Sequence, residues 1–342
     1  MLAALLFWFS LLFSPAQAQS WEAAPSVDTS VALEPMPALP GEYRAFVGTY
    51  ATVYARNSDR AAADQVLALT ETRIPTLAQR LGVGTGRSMD IVLAHDDREF
   101  HSLQPGKTHD WAEGTAWPHR SLIYLHAPGA RAGTAEPLAQ VLDHELIHVL
   151  LGRAFGERRV PTWLQEGLAQ YYAGEISPQL PERIARGMVG GGLLSLEDLS
   201  YGFPRDPRRA DLAYAQSADL INWIASEHGE PGLQVLVAEM ARGQTMNASL
   251  RAATGLGAVE LEERWLERFQ DSGLWLAAFA AEGSFFALMV PLMLLGAVRL
   301  RRERQATLAR WEDEERRQDA LIEQLRQWGL PTEHLRGQVP HT

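Results

Sequence analysis

His144-Glu145-Leu146-Ile147-His148 is the stretch on which the fold turns, and Trp163-Leu164-Gln165-Glu166-Gly167 follows it closely. The first motif sits in an apolar run, Leu138 to Leu151, with Gly152 near its end. Leu146, Ile147, Val149 and Leu150 mark that run as a largely buried helix. Residues four apart share a helix face, so His144 and His148 present two imidazoles to one point. Two buried histidines on one face need a polar partner, and a metal supplies one. Two neutral imidazoles and a carboxylate make a three-ligand Zn²⁺ set that leaves a fourth position open to water, as a catalytic site requires. Glu145 stands beside that point without binding it. Pro161 precedes a second helix, Thr162 to Tyr172, at the position where proline is best accepted. A helix, a short loop and a returning antiparallel helix can bring Glu166, eighteen residues after His148, back to the histidines. At Gly167 the missing side chain would let those two helices approach closely.

Working outward, residues 44–54 carry Val47, Thr49, Tyr50, Thr52 and Val53 and read as a strand. Helical periodicity follows over 59–81 and stops at Gly82. Met89 to Ala94 and Ser121 to Leu125 are short strand-like runs. After a Gly- and Pro-rich stretch at 187–207, helices are expected over Ala210–Glu227, Gly232–Ala241, Thr245–Ala253 and Val259–Phe269. Strands first and helices last is an α+β pattern.

The chain has 342 residues, 46% of them apolar, enough for a sizeable core. A formal charge of −11 leaves no basic footprint for nucleic acid. Lys107 is the only lysine, and there is no cysteine. Disulfides, thiolate metal sites and a cysteine nucleophile are thereby excluded, so a metal must be held by His and carboxylate.

Two apolar stretches set the expected compartment. Residues 1–18 read as a signal peptide ending at Ala16-Gln17-Ala18, and 19–40 as a Pro-rich linker. Residues 274–298 are apolar apart from Glu282, long enough for the about 20 residues that a span needs. Arg299, Arg301, Arg302 and Arg304 follow and mark the cytoplasmic side. The expected layout is a domain over 41–272 facing the periplasm or exterior of a bacterial cytoplasmic membrane, one transmembrane helix over 274–298, and a charged cytoplasmic tail over 299–342.

The run from Trp163 to Tyr171, Trp-Leu-x-Glu-Gly-x-Ala-x-Tyr, together with the histidine motif resembles the gluzincin metallopeptidases. Within them it is similar to the peptidase MA-like domain, a relative of the M1 aminopeptidases. The resemblance covers about residues 44–270 and implies a zincin-like fold: a small N-terminal sheet, the active-site helices, then a helical C-terminal subdomain. It implies Glu166 as third ligand, hence Zn²⁺ on His144, His148 and Glu166, with Glu145 as general base toward a zinc-activated water. In Tyr214-Ala215-Gln216-Ser217-Ala218-Asp219-Leu220 it implies Tyr214 as a donor to the tetrahedral intermediate, although Lys-Gly usually stands where this chain has Gln216 and Ser217. Tyr171 and Tyr172 are rival donors. Extended substrates in this class bind a strand beside the zinc through main-chain hydrogen bonds. Ser121 to Leu125 is the expected edge, with Trp111 to Trp117 shaping the cleft. The Gly-x-Met-Glu-Asn run that holds a free N-terminal amine in M1 enzymes is missing, and Ala112-Glu113-Gly114 is its nearest counterpart. That favours an endopeptidase acting on peptides or proteins.

Two other readings use the same residues. A catalytically quiet zincin would bind peptides or scaffold a cell-envelope complex. A zinc-dependent hydrolase could also act on something other than a peptide. Metal content measured together with turnover of an unstructured protein separates the first of these from an active peptidase.

Overall fold

The computed structural model describes residues 34–108, 112–131, 137–189 and 192–271, with Arg299, Arg301 and Gln305. The chain divides into two units, Met1–Phe269 and Gln270–Thr342. The first is α+β, a small N-terminal sheet followed by helices. β1 (Tyr43–Val47) and β2 (Ala51–Arg56) are antiparallel, with Val47 opposite Thr52. The single strand expected over 44–54 is therefore a hairpin. Its turn closes where the Gly48 N–H donates to the Ala51 carbonyl at 2.9 Å and the Thr49 N–H to the Glu71 carboxylate at 2.6 Å. β-Branched residues flank and fill that turn, so side-chain preference alone reads straight through it.

α1 (Arg60–Leu81) buries Ala63, Val66, Ile74, Leu77 and Leu81, the stripe expected from its periodicity. β3 (Met89–Ala94) lies parallel to β2, and α2 (Asp97–Ser102) starts at Asp96, whose side chain accepts from the Glu99 N–H. β4 (Gly114–Trp117) and β5 (Leu122–His126) complete a sheet of order β1-β2-β3-β5-β4. β5 is paired on both sides, parallel to β3 and antiparallel to β4, and every one of its residues is buried. The edge expected at Ser121–Leu125 is thus an interior strand. The edge next to it is β4, which is too short and too poor in β-branched residues to announce itself.

α3 (Leu138–Phe155) packs with α1 on one face of the sheet. It runs a full turn beyond the expected end at Leu151, with Gly152 inside it facing Pro118. On the other face Tyr43, Val92, Ala94, Phe100, Leu122 and Tyr124 form a core to which Met36 and Leu39 add their side chains. Residues 34–40, the end of the stretch read as a linker, therefore lie along the sheet.

α4 (Thr162–Ala173) follows Pro161, which caps it. Gly167 does allow a close approach, but to a later helix: a Cβ there would lie 2.5 Å from the Ser217 carbonyl oxygen and 2.6 Å from Ile221 Cγ1. α5 (Leu180–Val189) and α6 (Leu196–Ser200) were not legible around the Gly- and Pro-rich stretch; α6 begins in a capping box of Ser195 and Asp198. α7 (Pro207–Ala241) joins the two helices expected over 210–241 across a break at Gly229, where φ is 67°. α8 (Met246–Thr254) and α9 (Ala258–Asp271) end the described unit. No helix among the described residues is long and apolar enough to cross a membrane. The expected signal peptide (1–18) and span (274–298) lie outside the described residues, as does nearly all of the tail.

Candidate metal centre

α3 and α4 bring His144, His148 and Glu166 together. The two histidine Nε2 atoms are 3.1 Å apart, and each lies 3.6 Å from Glu166 Oε2. Zinc bonds of about 2.0–2.1 Å in a tetrahedron require ligand atoms roughly 3.3–3.4 Å apart. The triangle has that size, so the donor set fits zinc in both chemistry and spacing. It is also the sole group of three or more His, Cys, Asp or Glu side chains among the described residues that could hold a metal.

Glu175 was missed by the sequence reading. Its carboxylate accepts from His144 Nδ1 at 2.9 Å, which keeps the hydrogen on Nδ1 and turns the Nε2 lone pair toward the centre. A turn past the end of α4 places it there. Gly174 adopts a left-handed conformation, its N–H donates to the Tyr171 carbonyl, and the Glu175 N–H reaches back to the Gln170 carbonyl at 2.8 Å. That pattern is a Schellman motif. Gln140 of α3 donates to the Gly174 carbonyl at 3.0 Å and ties the turn to the histidine helix. The available signal was a carboxylate directly after a glycine stop on the helix that carries Glu166.

Glu145 is buried, 7% exposed. Burial pushes its carboxyl upward, against the pull of the two imidazoles. Gly114 of β4 makes room for it: a Cβ there would lie 2.8 Å from Glu145 Cγ. Burial disfavours charge on His144, yet Glu166 and Glu175 hold its affinity for positive charge well above an ordinary histidine's. Glu166 is held far below the usual carboxylate range by the imidazoles, His148 foremost, although burial works the other way. The pocket is electrostatically prepared for a cation.

A cavity of about 930 Å³ opens over this corner, lined by β4, by His144, Glu145 and His148 of α3, by Glu166 of α4, and by Tyr214 of α7. Burial raises the Tyr214 phenol, and Glu166, Glu145 and Glu175 raise it further, so it remains a donor at neutral pH. Phe203 packs edge-on against its ring at 4.7 Å. Tyr172 is no rival, because its hydroxyl donates to the Arg80 carbonyl at 3.2 Å. Tyr171 packs edge-on against Tyr172 and does not line the cavity.

Residues 73–271 match the family model of the peptidase MA superfamily. No curated protein matches the chain. Among solved structures, a glutamate-to-alanine mutant of the M1 zinc metallopeptidase from Deinococcus radiodurans aligns with a TM-score of 0.35 and 15% identity. The alignment covers 66% of this chain and 51% of that one, so the chain matches about half of that protein's length.

Proposed function

We propose that this chain, which belongs to the peptidase MA superfamily, is a zinc metallopeptidase that cuts peptide bonds within proteins or peptides. The triangle of His144, His148 and Glu166 beside the buried carboxyl of Glu145 is the observation that carries the reading. Zinc held by those three residues supplies Lewis acidity, bringing a water's pKa from about 16 toward about 7. Glu145 accepts the proton of the attacking water and returns it to the leaving amine, and its burial raises its proton affinity for the second task. Glu175 keeps the His144 ring oriented. Tyr214 donates to the oxyanion as it develops, a contribution of a few kcal/mol for one such donor. The outer edge of β4 offers main-chain groups to an extended substrate.

Cleavage within a chain is supported by the sequence, which lacks the Gly-x-Met-Glu-Asn run that holds a free N-terminal amine in M1 enzymes. The signal-like residues 1–18 and the apolar run 274–298 favour an anchored domain outside the cytoplasmic membrane.

Glu145→Gln tests the mechanism. The variant is expected to retain stoichiometric zinc while turnover of an unfolded protein falls on the order of 10²–10⁴-fold. Unchanged turnover would refute the role of Glu145.

A further inference from the structure

Arg183 of α5 lines the cavity over the metal centre, and the hydrolytic chemistry leaves it unused. We propose that Arg183 reads a carboxylate of the substrate close to the scissile bond, from an acidic side chain or a free C-terminus. Its place relative to the cleaved bond rests on the proposed peptidase function; binding of the carboxylate itself requires no turnover.

Two helices hold the guanidinium in place. On α5, Leu180 and Ile184 are buried, and a Cβ at Gly187 would lie 2.4 Å from Leu212 Cδ1, so α5 sits hard against α7. Arg183 thereby meets Asp211, the residue before that leucine. Its Nε donates to Asp211 Oδ2 at 3.3 Å, and its Nη2 donates to Asp211 Oδ1 and, at 3.3 Å, to the Asp211 carbonyl. A carboxylate gripped by two nitrogens fixes the plane of the guanidinium. All of these bonds run through Nε and Nη2, so among the described residues the two hydrogens on Nη1 are left for a ligand. Asp211 is also the more exposed partner, its side chain 60% accessible against 29% for Arg183. Water screens the aspartate more than the arginine, which leaves a residual positive field beside Arg183.

The rest of the cavity makes this cation selective. Among the described residues its lining carries the carboxyl groups of Glu113, Glu145, Glu166, Glu175 and Asp211, against two permanent cations, Lys107 and Arg183. A substrate carboxylate is repelled along most of that wall and attracted where a donor stands ready. Lys107 is exposed and lies outside any helix or strand, so closing it on a ligand costs the freedom of a long side chain. Arg183 is already ordered by Asp211 and loses less for each hydrogen bond it forms. Asp211 and Tyr214 are three residues apart on α7 and share a face. Three helical residues rise about 4.5 Å, and one residue of an extended peptide spans about 3.3 Å. With Tyr214 at the oxyanion, the carboxylate on Arg183 belongs to a residue within about two of the scissile bond.

The test uses matched peptides, blocked at both ends, with Glu or Gln at each of the two positions on either side of the cleaved bond. At one of these positions kcat/KM is expected to favour Glu about tenfold, as a partly solvated charged hydrogen bond supports. A second pair, with free and amidated C-termini, tells a terminal carboxylate from a side-chain one. Arg183→Gln should abolish the preference, Arg183→Glu should turn it toward Lys, and Lys107→Gln should keep it. Should Arg183→Gln fold poorly by circular dichroism, the double variant with Asp211→Asn strands no charge and takes its place. Equal rates for acid and neutral peptides in both pairs overturn the proposal. So does a preference that survives the loss of Arg183 or disappears with Lys107. Peptide binding to zinc-loaded Glu145→Gln, followed by fluorescence anisotropy, should show the same preference without hydrolysis, and equal binding overturns the proposal too. If the chain cuts none of the peptides, the peptidase reading fails while the anisotropy still decides whether Arg183 selects a carboxylate.

Discussion

Within ten residues α3 carries two sets of polar groups, one buried and one half-buried at a cavity, and they are satisfied in opposite ways. Arg153, 3% exposed, spends its donors inside the protein, on Ser121 Oγ at 2.9 Å and the Thr85 carbonyl at 2.7 Å, with the Ser88 carbonyl at 3.5 Å. Asp90 stands near as its counter-charge. Earlier on the same helix, His144 and His148 converge with Glu166 of α4 across 3.1–3.6 Å beside a cavity. A buried charge whose partners are all protein locks the scaffold: Arg153 joins α3 to the Ser121 turn, where φ is +51°, the only positive value at a described residue other than glycine. A set of converging acceptors is stable only when something cationic completes it. The difference separates scaffold from site on a single helix.

The sharpest way to break the contrast is Glu166→Ala. Removing one corner of the triangle should leave zinc substoichiometric after dialysis and turnover of an unfolded protein at least 10³-fold lower, while far-UV circular dichroism stays unchanged. A variant that keeps full zinc would mean the three acceptors do not act as one set. Next in size is Glu175→Ala. Loss of a carboxylate that orients a ligand ring should weaken zinc affinity 10–100-fold in a competition titration with a chelator, without loss of the fold. Smallest, and opposite in kind, is Arg153→Met. Stranding the Ser121 hydroxyl and the Thr85 carbonyl should lower unfolding free energy by about 2–3 kcal/mol in urea. Zinc affinity should change less than twofold, and a larger change would show that the two clusters on α3 are coupled.

The site was more legible in the sequence than the sheet around it, for reasons that lie in particular residues. His144 and His148 share a face through the fixed pitch of one helix, which turns spacing into position, whereas Glu166 on the next helix was assigned by the family resemblance. Tyr214 too was named through the resemblance, and it lines the cavity from α7. Glu175 escaped notice because a turn places it, and turn geometry lies in backbone angles rather than in a repeat. β4 escaped because Gly114-Thr115-Ala116-Trp117 is four residues long with a glycine at its start, and an edge is a property of strand order. The hairpin at Gly48 and the contact of Gly167 with α7 have the same origin: each is set by what lies across from the residue. Local periodicity gave the helices, and long-range neighbours decided the rest.

Gly114 gives the site a particular genetic fragility. The position lies on the sheet edge, thirty-one residues before Glu145 and outside both the histidine motif and the Trp163–Tyr171 run. Glycine and alanine codons differ by one base. A single nucleotide change could therefore press a methyl group into the space that Glu145 Cγ needs, 2.8 Å away, while His144, His148 and Glu166 stay intact. In a lineage drifting from peptidase to binding protein, this is a short path: the metal corner and the fold would persist in the sequence, and the activity would already be gone.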